Sequence, residues 1–524
     1  MIESDYPDVT LPEEPYHEIL LKAIKKHIDN GKNKIAFVRE NYCNFNCMSN
    51  GFKRGTLNVA CAVIPNLWHY SAFFLGVALR GGAVSGASSM FTEYELQRQF
   101  VDSRAKVVLT SEHFLEKVLK AIQGVIYIPE STDGYVPHRV VSWNDIVNTT
   151  PSTSIPRAMI DVDRDMVLLP YSSGTTGNPK GVMLSHKNFA TMITLYMHET
   201  TNITPFLDVN WDYEMEKIIL FLPFYHVYGF GLINLTLLQG STGVIFKHFE
   251  PVAFCKAIQD YKIHFLPVVP PIMVFLAKHP ICEQYDLSSL KMLICGAAPA
   301  GKDICEELSK KYPNIKYIRQ GYGMTECTMA SHLPDLKNEV PFGSVGKVAS
   351  NLRMKIVDPS TGKEMPTGMS GEICIKGPTV MLGYLGNLDA TKATIINGWL
   401  HTGDIGYVDE YRNLFIVDRL KELIKVKGLQ VAPAELEDLL LTHPLIRDAA
   451  VIGVPDRRAG ELPKAFVVRA SENLTEEDVK LWVKEKVSPY KQLKGGVEFI
   501  DEIPKSPAGK ILRKALRDRV ASKL

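Results

Sequence analysis

Short apolar runs alternate with amphipathic ones through most of the first 320 residues, and that rhythm restricts the fold more than any other feature. Leu57–Ile64 predicts a buried strand, Tyr70–Gly81 a helix, Ala83-Val84 a strand, Tyr94–Asp102 a helix and Lys106–Thr110 a strand. A first helix is expected at Tyr16–His27, after a polar lead-in. Beyond residue 260 the alternation resumes with Phe265–Val269, a helix from Pro270 through Lys278, then Lys291–Cys295 and Ile315–Tyr317. Strands joined by helices run parallel, so the expectation is an α/β chain with doubly wound, mostly parallel sheets. Such sheets bind ligands in loops at the carboxyl ends of their strands. At 524 residues the chain outgrows a single core. From Gly343 short β segments and Gly- and Pro-rich turns predict a β-rich subdomain. The composition then turns Lys-rich, so residues 1–418 are expected to form a large domain and 419–524 a small α+β domain. Helix Pro433–Thr442, strands Ala449–Val454 and Ala465–Val468, helix Glu476–Val487, strand Val497–Ile500 and a basic helix Ile511–Arg519 fill the latter.

One run could challenge a globular reading. From Ile218 to Phe246 no residue carries a formal charge, which is long enough to cross a bilayer. Yet Pro223, His226, Gly229, Gly231, Asn234 and Gly240 interrupt it. It reads better as a buried strand (Ile218–Leu222), a loop, a buried helix and a strand (Thr242–Phe246), with no transmembrane segment. Net charge is +1, so nothing points to nucleic acid or an anionic membrane as the main partner. The 9 cysteines show no zinc or disulfide spacing, which fits a reducing compartment. The acidic start, Met1 to Asp5, lacks the apolar core of a secretion signal.

The chemistry centres on Leu168–Gly181, where an apolar run enters a turn of Gly, Ser and Thr. Small residues at Ser172, Ser173, Gly174, Thr175, Thr176 and Gly177 let backbone N–H groups converge, and Lys180 adds a full charge. Convergent donors with one lysine suit a polyphosphate. Pro179 and Gly181 flank that lysine, so this is not a Walker A loop. Further on, Gln320-Gly321-Tyr322-Gly323-Met324-Thr325-Glu326 places glycines on both sides of Tyr322, permitting close approach of a flat ligand. Thr325 can donate to a phosphate, and Glu326 is the nearest carboxylate for a divalent metal beside it. His401–Gly406 presents Asp404, an acid suited to ribose hydroxyls. Pro504–Lys510 is too irregular for regular structure and puts Lys510 on a mobile loop before a helix.

Tyr171–Gly181, Gln320–Glu326, His401–Gly406, Asp418–Glu437 and Pro504–Lys510, in that order, resemble the motifs of the adenylate-forming superfamily of acyl-CoA synthetases. The branch it looks like holds plant 4-coumarate–CoA ligases, peroxisomal fatty acyl-CoA synthetases and firefly luciferase. The resemblance implies two steps: a carboxylate attacks the α-phosphate of ATP, then coenzyme A displaces AMP. Attack of an anion on a polyanion calls for charge neutralisation rather than a general base. By resemblance the Ser172–Lys180 loop holds the β- and γ-phosphates, with Mg²⁺ assisted by Glu326. Asp404 binds ribose, Gly296, Ala297 and Ala298 with Gln320–Tyr322 frame adenine, and Arg419 reaches ribose or phosphate. Lys510 bridges the substrate carboxylate and the α-phosphate, and His226 stands at the mouth of the acid pocket. Asp418 resembles the family hinge, about which the small domain rotates, withdrawing Lys510 and bringing in Lys425, Lys427 and Gly428. Lys425 and Gln430 count among the nucleotide-binding residues, Lys427 and Gly428 among those for coenzyme A.

The chain also departs from the pattern. Residues Phe37–Gly51 are shorter and richer in Asn and Cys than the family segment. Met192 and Met329 stand where luciferases carry polar residues, which disfavours luciferin oxidation. Ile294 replaces the lysine that coumarate ligases often carry, which disfavours a phenol and suits an aliphatic tail. The expected substrate is therefore a medium- or long-chain fatty acid, placing the enzyme in fatty acid metabolism. A 4-coumarate-type aromatic acid ligase, a luciferase-like oxygenase or an adenylating enzyme with another acceptor follows, and a non-catalytic relative comes last. Ser522-Lys523-Leu524 at the end of the sequence reads as the tripeptide bound by the peroxisomal import receptor, so residence in the peroxisomal matrix is expected.

Overall fold

The computed structural model describes residues 1–29, 58–122, 125–129, 140–149, 158–172, 179–207, 211–335, 338–427, 429–506 and 509–522, with the backbone alone at 200–207 and 430. The Phe37–Gly51 departure lies outside them. The largest sheet runs, in spatial order, Gly383–Tyr384, Lys180–Ser185, Met166–Leu168, Ala83–Gly86, Val59–Val63, Ala105–Ser111, Val125–Ile128, Val140–Ser142. From Met166–Leu168 onward its pairs are parallel, as the alternation predicts. Val59–Val63 (Val-Ala-Cys-Ala-Val) is buried at every position, the signature of a strand covered on both faces. Helix Glu93–Ser103 follows a capping box, in which Thr92 accepts from the Glu95 N–H and Glu95 accepts from the Thr92 N–H.

A second parallel layer pairs Phe265–Val268, Met292–Cys295 and Tyr317–Gln320, and Lys217–Leu220 pairs in parallel with Thr242–Ile245. The charge-free run is core, not membrane. Helix Val227–Gln239 buries every residue except Tyr228, and Gly240 ends it in the left-handed region at φ +71°. Among the described residues no helix is long and apolar enough to cross a membrane. Its strand stops at Leu220 rather than Leu222, because the Asn66 side chain takes the Leu222 carbonyl and the Phe224 N–H. Phe230 packs against Phe74 and Phe189, and Tyr16 from the first helix closes the group, its hydroxyl donating to Asn234.

Three further expectations change. The strand expected at Ile315–Tyr317 is Tyr317–Gln320, since the Asn314 amide binds the Leu287 and Leu290 carbonyls and holds residues 312–316 in a turn. The last helix is Arg513–Ala521, not Ile511–Arg519, because Ile511 bridges Lys505 in extended form. The polar lead-in contributes an edge strand, Ile2–Glu3, against Arg353–Val357. That pairing begins an antiparallel sheet continuing through Gly371–Lys376 and Trp399–Val408, on which Leu414–Arg419 also pairs. After Arg419 a separate core begins at Ile424, with Leu436, Val451, Val467 and Val479, under the sheet Leu429–Val431, Ile424–Val426, Gly460–Arg469, Ile446–Asp456.

Candidate active site

The glycine- and serine-rich stretch is flanked by antiparallel strands, its shoulders paired Tyr171 to Gly181 and Ser172 to Lys180. Ser173, Gly174, Thr175, Thr176 and Gly177 lie outside the described residues. Gly181 sits closely against its neighbours, since a Cβ there would stand 3.2 Å from both the Leu169 and Tyr171 side chains. One shoulder meets Glu326, which is buried on the short turn Thr325–Cys327. The Ser172 hydroxyl donates to Glu326 Oε1 at 2.8 Å, and the Tyr384 hydroxyl donates to the same oxygen at 2.9 Å. The Lys180 ammonium lies 4.8 Å from the centre of the Tyr384 ring. Tyr384 was not anticipated. Its strand reaches the strand Lys180–Ser185 through Gly383↔Met183 and Tyr384↔Val182, a pairing across two hundred residues that leaves no local mark. With both hydrogen bonds on Oε1, Glu326 Oε2 has no hydrogen-bond partner among the described residues, which suits a hard divalent cation beside a phosphate.

The adenine-framing candidates gather at the end of the second layer. Met292–Cys295 runs into Gly296, Ala297 and Ala298, and Ala297 takes φ +71°, a strained conformation for a residue with a Cβ. A Cβ at Gly296 would meet the Tyr228 ring at 3.1 Å. Gln320 bonds Ala300 at both ends, accepting from its N–H (2.8 Å) and donating to its carbonyl (2.9 Å). Its amide therefore fixes this turn instead of facing a ligand. Gly323 lies so close to the Met329 carbonyl that a Cβ would sit 2.1 Å from the oxygen. Next to Gly321, Tyr322 donates from its hydroxyl to Asp404 Oδ2 at 2.7 Å, and Arg419 Nε lies 3.4 Å from Asp404 Oδ1. These groups line a cleft of about 830 Å³, together with Lys510.

Lys510 leaves a turn closed by the Ser506 N–H to the Lys510 carbonyl and the Lys510 N–H to Ser506 Oγ; residues 507–508 lie outside the described residues. Burial and the like charge of Arg419 lower its ammonium to about 8. His226 caps helix Val227–Gln239, its Nδ1 accepting from the Tyr228 N–H, which leaves the proton on Nε2. Burial and the Lys510 charge push it down to about 4, so at neutral pH it is an uncharged donor. Of the predicted residues, Tyr322, Asp404, Arg419 and Lys510 thus line one cleft and the Lys510 charge reaches His226, while Thr325 and Glu326 sit on the turn Thr325–Cys327 beside the Ser172 strand.

The second lysine face is elsewhere. Lys425 and Lys427 are solvent-exposed, and Lys427 holds φ +51°. Gly428 and the Gln430 side chain lie outside the described residues. Asp418 is buried at the end of its strand, accepting from the Arg419 N–H (2.6 Å) and from the Ala434 N–H (3.0 Å) at the start of helix Pro433–Leu441. It therefore links the two cores. Behind the Gly296 turn a small apolar cavity of about 50 Å³ is lined by Ile294, Met292, Phe265, Leu333, Tyr196 and Trp211. Met329 has its sulfur packed at Gly231, while Met192 is fully buried in the large core.

On the expectation that Lys510 acts as a cation against phosphate charge, adenylation should fall as pH rises through about 8. Below that pH the lysine is protonated and the rate levels off. Arg419→Gln removes the like charge and should move the alkaline limb to higher pH. Pyrophosphate exchange followed from about pH 6 to about pH 10 checks this; a limb at the same pH in both proteins counts against it.

Residues 39–385 match the AMP-binding enzyme family and residues 435–510 the AMP-binding enzyme C-terminal domain. The chain is 43% identical to 4-coumarate–CoA ligase 1 of Petroselinum crispum over 88% of its own length and 84% of that protein's. It is 42% identical to the 4-coumarate–CoA ligase of Vanilla planifolia, covering 90% and 85%. Among solved structures it resembles the anthranilate CoA ligase AuaEII in complex with anthranoyl-AMP, at 25% identity and a TM-score of 0.83 over 98% of this chain and 99% of that one.

Proposed function

The chain belongs to the AMP-binding enzyme family, and on that premise we propose that it is an acid–thiol ligase that adenylates an aromatic carboxylic acid with ATP and passes the acyl group to coenzyme A. The observation that carries the aromatic class is the set of relatives above 40% identity named 4-coumarate–CoA ligases. This displaces the fatty acid expected from Ile294, Met192 and Met329. Met192 is core packing, so it has no bearing on the acid; Ile294 does line the apolar cavity and favours a ring without a polar para substituent. That keeps a fatty acid as the second reading.

In the first step Lys180 and the loop donors hold the β- and γ-phosphates, while Asp404 and Arg419 take the ribose. Mg²⁺, when bound, neutralises phosphate charge, with Glu326 Oε2 as its ligand from the chain. Lys510 sits on the acid and the α-phosphate, and neutral His226 donates from Nε2 at the acid's mouth. Exposure of Lys425 and Lys427 while Lys510 lines the cleft supports an adenylating arrangement, with thioester formation following rotation near Asp418. Specificity constants for CoA-thioester formation with cinnamate, 4-coumarate, benzoate and fatty acids of graded length test the substrate. A fatty acid exceeding every aromatic acid would reverse the order of the two readings.

Peroxisomal residence is proposed separately, on the tripeptide Ser522-Lys523-Leu524, of which Lys523 and Leu524 lie outside the described residues. An amino-terminally tagged chain should lose its punctate distribution when those three residues are removed; unchanged puncta would refute it.

A further inference from the structure

The strands Gly371–Lys376 and Trp399–Val408 fall out of step beside the nucleotide cleft. Glu372 pairs with Ile405, but Cys374 pairs with His401, so two steps on one strand meet four on the other. The slack is taken up at Gly403, which adopts φ +71°, and it sets Asp404 toward Tyr322 and Arg419. It also leaves three metal-binding side chains together. His401 Nδ1 is 2.8 Å from Glu372 Oε2 and 3.5 Å from Cys374 Sγ, and all three donor atoms lie within 4.8 Å of one another.

We propose that Glu372, Cys374 and His401 form a zinc site whose occupancy loosens the ATP-binding turn. Tetrahedral zinc, with bonds of about 2.0–2.3 Å, sets its donors about 3.3–3.6 Å apart. The sulfur–nitrogen spacing already meets this, and the nitrogen–oxygen pair must open by about half an ångström. Cys374 is fully buried and Glu372 nearly so, while His401 keeps a partly exposed edge through which the metal and a fourth, water ligand can enter. A thiolate, an imidazole and a carboxylate select zinc over magnesium, so the Mg²⁺ accompanying ATP does not compete. Lys355 pairs opposite Cys374, but its ammonium is drawn over the Trp399 ring at 4.7 Å.

Zinc binds cysteine as the thiolate, so binding at Cys374 releases one proton to buffer. The link to function is Glu372 Oε1, which accepts the Gly403 N–H at 3.1 Å, one residue from Asp404. Parting Glu372 from His401 pulls on that bond and shifts Asp404. This last link rests on the reading of Asp404 as the ribose acid; metal binding itself does not.

The test uses the full chain stripped of metal and titrated calorimetrically with zinc chloride in two buffers of different ionisation enthalpy. A site releasing one proton is expected, weakened at least about a hundredfold in Cys374→Ala and at least about tenfold in Glu372→Gln, which can still accept from Gly403. Cobalt(II) should give a thiolate charge-transfer band in the near ultraviolet that Cys374→Ala lacks. Zinc held by Cys43 or Cys47 would survive that substitution, so the site lost is the one that counts. In pyrophosphate exchange, zinc should raise the KM for ATP severalfold in the parent chain and not in Cys374→Ala. Equal zinc affinity in both proteins, or no thiolate band in the parent, overturns the site. Metal binding without any change in KM overturns the coupling alone.

Discussion

Replacing Lys510 with alanine is expected to slow adenylation by about two to three powers of ten while leaving thioester formation from supplied acyl-adenylate largely intact. The magnitude follows from the chemistry. A carboxylate approaching a triphosphate meets accumulated negative charge, and the transition state adds more at the α-phosphate. Lys510 lines the cleft with Asp404, Arg419 and Tyr322, partly shielded from water, where a fixed cation is worth more than in solvent. Its charge adds to burial in lowering His226. The selectivity follows from the small unit's two faces. Lys425 and Lys427 point to solvent while Lys510 faces the cleft, so one rigid unit cannot present both faces at once. Alanine should not disturb folding, because the hydrogen bonds of Lys510 in its turn are made by its backbone. Pyrophosphate exchange reports the first half-reaction and CoA capture of supplied adenylate the second. Equal losses in both would remove the two-arrangement mechanism.

Much of this was legible in the sequence where the signal is local. Apolar alternation marked the parallel strands because a strand covered on both faces must be apolar throughout, as Val59–Val63 is. Gly323 was read as making room for a flat ligand, whereas the close approach it permits is to the Met329 carbonyl of its own chain. Strand ends were lost where a side chain from afar caps the backbone, as Asn66 does at Leu222 and Asn314 at Leu287. The same limit applies to the site. Glu326 was found from its own motif, but Tyr384, which shares its oxygen with Ser172, arrives through long-range pairing. Gln320 sits within the motif, yet its amide is committed to Ala300, and only geometry separates a residue that touches a ligand from one that holds the turn. The Glu372, Cys374 and His401 group depends on a bulge, which shifts register by counts that composition does not record.

The second large effect concerns stability. Arg513→Met should destabilise the C-terminal unit by about 3–5 kcal/mol, because it strands buried carboxylates rather than merely removing a contact. Arg513 makes a bidentate pair with Glu437 at 2.8 and 2.7 Å, and its Nε donates to the Val451 carbonyl. Glu437 Oε1 also accepts the Val451 N–H. Both side chains are largely buried, and the charge of Arg513 also reaches Asp418. Nearby, Asp438 is pushed up to about 7 by burial and by the negative charge of Glu437, Asp303 and Asp418. Without the guanidinium Glu437 and Asp418 lose the positive charge that offsets them. The cheapest relief is to take up protons. An acid whose folded pKa is raised stabilises the unfolded state progressively as pH climbs from its ordinary value to the raised one. The loss in Arg513→Met should therefore be smaller near pH 5 and grow toward pH 8. Denaturant unfolding followed by the fluorescence of Trp482, which packs beside helix Pro433–Leu441, reads this directly. The double variant Arg513→Met with Glu437→Met should recover most of the stability, since an apolar pair leaves no buried charge. A double variant as unstable as the single one would show that the pair matters through its packing and hydrogen bonds to Val451, and not through uncompensated charge.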